Sequence, residues 1–243
     1  MSAKQYKNPP IEEAVCEFTF ASHASGHQFD LTVPGRLKVH RLMEEYSGEP
    51  RTQNIQIISP NKTPTIELRV QLPTVDARRL VSTRHNALAI SVLRPYDGWE
   101  NFKSRIERAL DAYFEAISQV AVTRIGVKYV NRIVVPKAGA NPAAVLTALP
   151  VEGKISDARL ANFTQFTEFV RTDEIKVLVI QATLQFGALD KTEYLLDIDV
   201  IWDHQALSRR NEIIDMVEKL HAIEGAAFEA LITDEARSLF DAG

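Results

Sequence analysis

The sequence predicts an α+β fold built from two similar halves, residues 1–118 and 119–243, packed as a single globular unit. Three observations predict it: an alternating apolar strand opens each half, several strand-like segments follow, and a long amphipathic helix closes each half. The opening strands are Ala14–Phe20 and Thr123–Val135, and the closing helices are Gly98–Ser118 and Leu207–Leu231. The duplicated strand, helix, strands, helix plan is expected to form one curved antiparallel sheet with the long helices on one face.

The first half reads as five strands and two helices. Pro34 begins the first helix, whose apolar residues recur at helical spacing as far as Tyr46. Asp97, with Glu100 three residues later, resembles a capping box at the start of the closing helix. The predicted strands are Ala14–Phe20, Asn54–Ser59, Thr65–Leu72, Ala77–Arg84 and Ala87–Leu93.

The second half repeats this plan with more ambiguity. Asn141 caps a short helix that is predicted to run to about Leu149, and Thr233 caps a last turn over Asp234–Phe240. Residues 151–170 stay open between a helix and an irregular strand. Two strands, Glu174–Phe186 and Tyr194–Trp202, are expected to pair as a hairpin through residues 187–190.

Composition indicates an ordinary soluble protein. The chain has 243 residues, of which 45% are hydrophobic and 25% charged, enough apolar material for a sizeable core. The single cysteine excludes an intramolecular disulfide, and no segment has the roughly 20 apolar residues of a membrane helix. The polar amino terminus does not resemble a signal peptide. We therefore expect a cytoplasmic protein that needs no cofactor and does not bind a membrane.

The strands between Arg51 and Arg94 carry an excess of basic side chains and are a candidate nucleic-acid surface. Seven basic and two acidic residues lie there, whereas the whole chain has a net charge of −4. Single-strand binding also uses aromatic side chains, and this segment has none. Nucleic-acid binding is therefore not the favoured interpretation; its candidate residues are Arg69, Arg78, Arg79 and Arg84.

Asp197 and Asp199 lie two residues apart on one strand, so their side chains project from the same face. Paired carboxylates can hold a metal ion or act as acid and base. The alternative is a solvated face, paired electrostatically with basic side chains spaced by four residues on the opening strand of the second half. Together these polar residues form a candidate ligand-binding surface: Arg124, Lys128, Arg132, Asp197 and Asp199.

No residue set predicts a catalytic or metal centre. Cys16 falls on the core side of its strand, and His23 and His27 lie in a glycine-containing segment without a second cysteine. Phosphate-binding loops, dinucleotide fingerprints and metalloprotease or hydrolase motifs do not occur. We predict neither catalytic residues nor metal ligands.

The duplicated plan resembles the saddle of the TATA-box-binding protein and the related helix-grip folds. Four segments also resemble a sporadically distributed family of uncharacterised prokaryotic proteins with an amino-terminal PPIxEAVCEF motif. They are 8–18, 93–102 and 124–133, with a tail from Trp202 through Phe228 to Asp234. That resemblance implies no activity; it suggests an accessory or defence locus.

These observations favour a non-catalytic binding or assembly module that recognises a protein partner or a second copy of itself. A small-ligand or nucleotide binder that uses the polar sheet face is the alternative, and nucleic-acid binding through strands 51–94 is the next. An enzyme that uses Asp197 and Asp199 is the last hypothesis.

Overall fold

The structure, a computed structural model, describes residues 6–21, 45–57, 65–84, 86–117, 121–149, 160, 162–184 and 190–242. Most of the predicted helix from Pro34 to Tyr46 lies outside the described residues. His23, His27 and most of the predicted 187–190 turn also lie outside them. The strands are β1 Ile11–Phe20, β2 Arg51–Ile57, β3 Thr65–Pro73, β4 Arg79–Arg84, β5 Ala87–Leu93, β6 Val122–Val135, β7 Thr164–Val170, β8 Lys176–Thr183 and β9 Thr192–Trp202. The helices are α1 Trp99–Ile117, α2 Arg210–Leu231 and α3 Asp234–Asp241, with a 3-10 turn at Pro142–Ala144.

The α+β prediction is confirmed at this level, because the nine strands form one large antiparallel sheet. Its strand order is β2-β3-β4-β5-β1-β6-β9-β8-β7. The predicted strands are each confirmed, with small shifts at the ends that the structure describes; the predicted ends at Ser59 and Phe186 lie outside the described residues. The two long helices are also confirmed.

Two predictions in the second half are settled by the structure. The helix after Asn141 was predicted too long: only Pro142–Ala144 is helical. After Ala144 the backbone pairs with the end of α2 instead of continuing as a helix. Leu146 forms an antiparallel β-bridge with Ile232, and the Thr233 amide donates to the Val145 carbonyl at 3.2 Å. The ambiguous phenylalanine-rich segment contains a strand, β7, which pairs antiparallel with β8.

The chain divides into two compact units. Unit II comprises Val15–Gly126 and Asp203–Val217. Its core lies between α1 and the sheet, where the Phe20 ring stacks on Tyr113 with centroids 4.2 Å apart. Both rings are buried, and the removal of their large apolar surface from water stabilises this core.

Unit I comprises Met1–Ala14, Val127–Trp202 and Glu218–Gly243. Its core includes the inward residues of β6 and β9, together with Leu220 on α2. Its two chain ends are joined, since the Asn8 amide donates to the Phe240 carbonyl at 2.9 Å and the Tyr6 ring packs edge-on against Phe240. Thr233 caps α3 as predicted, because its hydroxyl accepts the Ala236 amide.

Gly48 packs against the end of β3 in unit II, and its amide donates to the Pro73 carbonyl at 2.9 Å. A Cβ atom there would lie 2.7 Å from the Thr74 carbonyl oxygen and 2.8 Å from that of Pro73. We expect Gly48→Ala to lower the free energy of unfolding by about 1–3 kcal/mol, because the backbone must shift to relieve the overlap. Urea unfolding measures the loss, with exposed Ser47→Ala as the control; equal midpoints for the two variants would contradict this steric argument.

Among the described residues, none of the helices combines the length and the apolar composition required to cross a bilayer.

Candidate functional site

The predicted ligand-binding side chains of unit I form ion pairs across β6 and β9. Lys128 Nζ lies 2.7 Å from Asp197 Oδ2, and the Arg132 guanidinium donates to Glu193 Oε2 at 2.8 and 2.5 Å. Lys191 lies 2.8 Å from the same Glu193 carboxylate and, with Arg132, holds its pKa below the usual range. The polar surface predicted from the sequence therefore has Asp197 neutralised by Lys128.

Asp199 is placed on the same side of β9 as Asp197, opposite Leu178 of β8, and is half-buried. The Asp197 side chain is only 11% exposed. Within the described residues no group of three or more His, Cys, Asp or Glu side chains has metal-binding geometry. The ligand-binding interpretation of this pair stays a prediction.

Arg124 belongs to unit II, where it shares Glu17 with a second arginine. Arg124 Nη1 lies 3.2 Å and Arg84 Nη2 2.8 Å from Glu17 Oε1. Glu17 was not considered from the sequence, because the contact depends on how β1, β4 and β6 are placed in the sheet. One carboxylate therefore pairs with two guanidinium groups at this point.

The basic strands of unit II hold their arginines in different settings. Arg78 is exposed, whereas Arg79 lies 3.6 Å from Asp97, and the buried Arg69 Nε has no hydrogen-bond partner among the described residues. The nucleic-acid interpretation of Arg69, Arg78, Arg79 and Arg84 stays a prediction.

Cys16 lies in the core, fully buried, as its place in the alternation of β1 predicts. Burial raises the pKa of its thiol well above the usual range. The thiolate is the nucleophilic form, so this environment disfavours nucleophilic chemistry.

The outer edge of β7 in unit I is the most apolar exposed strand surface in the part of the chain that the structure describes. Phe166, Phe169 and Val170 are 61%, 50% and 65% exposed. Among the described strands β7 is terminal, with β8 on its inner side. Phe166 and Val170 project from one face of the sheet and Phe169 from the other.

Along β7 the backbone N–H and C=O groups of successive residues point alternately towards β8 and towards the outer edge. The Thr183 amide donates to the Phe163 carbonyl at 3.0 Å, and the Arg171 amide donates to the Ile175 carbonyl at 2.9 Å. In an antiparallel ladder every second residue bonds to the same neighbour, so the odd-numbered residues of β7 face β8. The amides and carbonyls of Thr164, Phe166, Glu168 and Val170 therefore point to the outer edge.

A second notable feature of unit I lies on the inner side of α2. Glu224 is 5% exposed, and burial alone raises the pKa of its carboxyl group to about 8. One helical turn earlier, burial lowers the pKa of His221 to about 4. The His221 Nδ1 lies 3.3 Å from the Tyr129 hydroxyl oxygen, which places this part of α2 against β6.

Sequence reasoning missed Glu224, although a signal was present. It lies four residues from both Leu220 and Phe228. These two belong to the apolar stripe that helical spacing predicts to be buried on the closing helix, which comprises Ile213, Met216, Val217, Leu220, Ile223 and Phe228. A charged residue at a core position of an amphipathic helix marks either an unusual burial or a site.

Comparisons with known proteins leave the chain without an assigned family. No protein-family model and no curated protein matches it. Among solved structures, the chain is similar at 8% identity to the di-domain ARO/CYC StfQ from the steffimycin biosynthetic pathway. That alignment covers 94% of this chain and 98% of StfQ, but its TM-score is 0.19, too low to support an argument about fold or function.

Proposed function

We propose that the protein is a non-catalytic assembly module that pairs with a second copy of itself through the outer edge of β7. The observation that carries the proposal is the exposure of three large apolar side chains, Phe166, Phe169 and Val170, on one terminal strand. They lie on both faces of the sheet, so one groove on one face would not cover all three. A strand added to the edge contacts both faces at once.

The composition of β7 supports pairing at its edge. Terminal strands of monomeric proteins are usually blunted by lysine, proline or bulges. The sequence Thr-Gln-Phe-Thr-Glu-Phe-Val has no lysine, proline or glycine, and its only charged residue is Glu168. Among the described residues, the backbone groups of its four outward residues have no strand partner, so they can bond to an added strand.

Self-pairing is favoured because the strand is complementary to its own antiparallel copy. With a two-fold axis at Thr167, Phe166 lies opposite Glu168, and Thr164 lies opposite Val170. The outward residues then pair with outward residues, and the two Phe166 rings become diagonal neighbours. An axis at Glu168 would instead place two carboxylates directly opposite each other, which is destabilising.

Replacing Phe166 and Val170 with lysine is expected to convert the dimer to a monomer, because edge lysines oppose strand pairing by charge and solvation. Light scattering after size exclusion should give twice the 27.3 kDa chain mass for the wild type and the single mass for the double variant. Val75→Lys, at an exposed turn position, is the matched control and should remain dimeric.

Glu168→Pro provides a backbone test of the same surface. It removes an outward amide and leaves the odd-numbered bonds to β8 in place, so a folded monomer is expected. A wild-type monomer at every concentration, or a dimer unaffected by the lysine and proline changes, would refute the proposal.

We also propose that the two halves of the chain arose by internal duplication, as the sequence predicts. In the sheet order the first strand of each half lies beside its last strand, β1 beside β5 and β6 beside β9, and a long helix follows β5 and β9. This supports an internal duplication of the helix-grip or TATA-box-binding-protein kind. We also propose a cytoplasmic location and membership of the family with the PPIxEAVCEF motif.

A further inference from the structure

Glu224 is a buried carboxyl group that has no partner among the described residues. It lies on the inner stripe of α2, between Leu220 and Phe228, with 5% of its surface exposed. Among the described residues it accepts no hydrogen bond and forms no ion pair, and burial is the only cause of its raised pKa. Glutamate is almost never fully buried unless it is paired. The described residues therefore offer this carboxyl group neither a hydrogen-bond donor nor a cation.

The contacts of α2 locate Glu224 within unit I. His221, one turn earlier, contacts Tyr129 of β6. At the end of the helix, the Thr147 amide donates to the Leu231 carbonyl at 3.0 Å, and Gln181 of β8 donates to the Thr147 carbonyl at 3.0 Å. At 1.5 Å per residue, Glu224 lies roughly 4.5 Å along the axis from His221 and roughly 10 Å from Leu231. It is thus placed on the part of the helix that crosses from β6 towards β8.

The side chains on this inner face offer acceptors. Asn131, two residues after Tyr129 on the same face of β6, donates its amide to the Leu196 carbonyl at 3.1 Å, which leaves its oxygen as an acceptor. His221 is neutral at pH 7, since burial lowers its pKa to about 4, so it adds no positive charge to this face. The buried Gln165 Oε1 of β7 has no hydrogen-bond partner in the described part of the chain.

The nearest cations on β6 face the other way. Lys128 and Arg132 occupy the alternate positions of the strand, opposite in direction to Tyr129 and Asn131. They bond to Asp197 and Glu193. The inner face thus combines a carboxyl group that has no partner among the described residues with the amide oxygens of Asn131 and Gln165, and the β6 cations point away from it.

We infer that this inner face binds a small organic cation of the primary-amine class, with the Glu224 carboxylate as its counter-ion. An ammonium group brings one positive charge and three hydrogen-bond donors, the complement of what the side chains present. Binding places the amine as R–NH₃⁺ against Glu224 COO⁻, and a carboxyl proton is released to solvent where Glu224 was protonated. A neutral alcohol supplies one donor and no charge, and an anion carries the same charge as the Glu224 carboxylate.

The inference is independent of the β7 edge. The amine site involves α2 and the inner face, whereas assembly involves the outer backbone of β7. The lysine variants that test assembly leave Glu224 in place, so each proposal can fail separately.

Thermal unfolding with n-butylamine and 1-butanol at pH 8 tests the site. At ten times its dissociation constant, butylamine is expected to raise the Tm of the wild type by about 3 °C, while butanol has no comparable effect. Glu224→Gln and Glu224→Leu should both lose the amine shift. Asp215→Asn, an exposed carboxylate on α2, should retain it.

Isothermal titration of the same pairs gives the affinity directly. The expected result is at least a tenfold weaker affinity for butylamine in both Glu224 variants than in the wild type and Asp215→Asn. Absence of an amine effect in the wild type, an amine effect that survives Glu224→Gln, or equal binding of butanol and butylamine would each overturn the inference.

Discussion

Replacement of Asp97 by asparagine is expected to lower the free energy of unfolding by about 2–3 kcal/mol. Asp97 holds the buried Arg105 side chain, which is 8% exposed, through two bonds of 2.8 and 2.5 Å. Removing one partner of a buried pair leaves an uncompensated charge, at a typical cost of about 3–5 kcal/mol. The smaller figure applies here because the Asp97 carboxylate is one-third exposed and partly screened.

The matched control is an ion pair of similar geometry whose carboxylate lies on α1, the helix that carries Arg105. Asp111 accepts two bonds from Arg210, at 2.5 and 2.9 Å, but the two side chains are 51% and 43% exposed. Asp111→Asn is therefore expected to cost less than about 1 kcal/mol. Urea unfolding at pH 7 compares the two variants, and equal losses would show that the burial of Arg105 does not set the energy.

A rescue experiment separates charge from shape. Arg105→Met keeps much of the side-chain volume and removes the charge that Asp97 neutralises. Adding it to Asp97→Asn is expected to restore at least half of the lost free energy, because an apolar side chain tolerates this burial. A double variant that is less stable than Asp97→Asn alone would instead indicate that the guanidinium contributes through contacts other than Asp97.

The strands could be predicted because their apolar residues alternate with a period of two. In β1, Ala14, Cys16 and Phe18 are buried at the positions that the pattern assigns to the core. A period of two follows from the local geometry of a strand with one buried face, so neighbouring residues are enough to reveal it. Neighbouring residues do not reveal which side chains form ion pairs. Arg124 pairs with Glu17, and the two lie on strands about 100 residues apart in the chain.

β7 could not be predicted because its apolar spacing is ambiguous. Phe163, Phe166 and Phe169 recur every third residue, which suits a helix as well as a strand. The backbone of this segment is satisfied by pairing with β8, an interaction that local spacing does not encode. The same ambiguity concealed the exposed edge on which the assembly proposal rests.

The sequence predicts the buried stripe of α2 with a small error in the rotation of the helix about its axis. Met216 and Ile223, expected in the core, are half-buried, whereas Ile214 and Leu231 are buried. Apolar residues cover a wide arc of this helix, so the sequence leaves its rotation open by tens of degrees. Contacts such as that between His221 and Tyr129 fix the rotation, and with it the burial of Glu224.

The burial of Glu224 gives a pH dependence whose sign follows from proton linkage. Its pKa is raised from 4.5 to about 8 in the folded state by desolvation, so between these values the folded state binds more protons than the unfolded state. Stability therefore falls as pH rises through this window, by about 1.4 kcal/mol per unit. His221 acts in the opposite sense, because its pKa is lowered to about 4, and it contributes only below 6.5.

The informative range is therefore pH 6.5–8.0, where His221 is neutral in the folded state and its remaining protonation in the unfolded state is common to the variants compared. Wild-type protein is expected to lose about 2 kcal/mol across this range relative to Glu224→Gln, whose amide does not titrate. Urea unfolding at several pH values measures how the free energy of unfolding of each variant changes with pH. The slopes are compared, and not the absolute free energies, because the buried amide of Glu224→Gln has its own desolvation cost. Glu218→Gln, at an exposed position on α2, should keep the wild-type slope. Parallel wild-type and Glu224→Gln profiles would mean that this carboxyl group reaches solvent or a partner in the folded protein, and the amine site inferred above would lose its counter-ion.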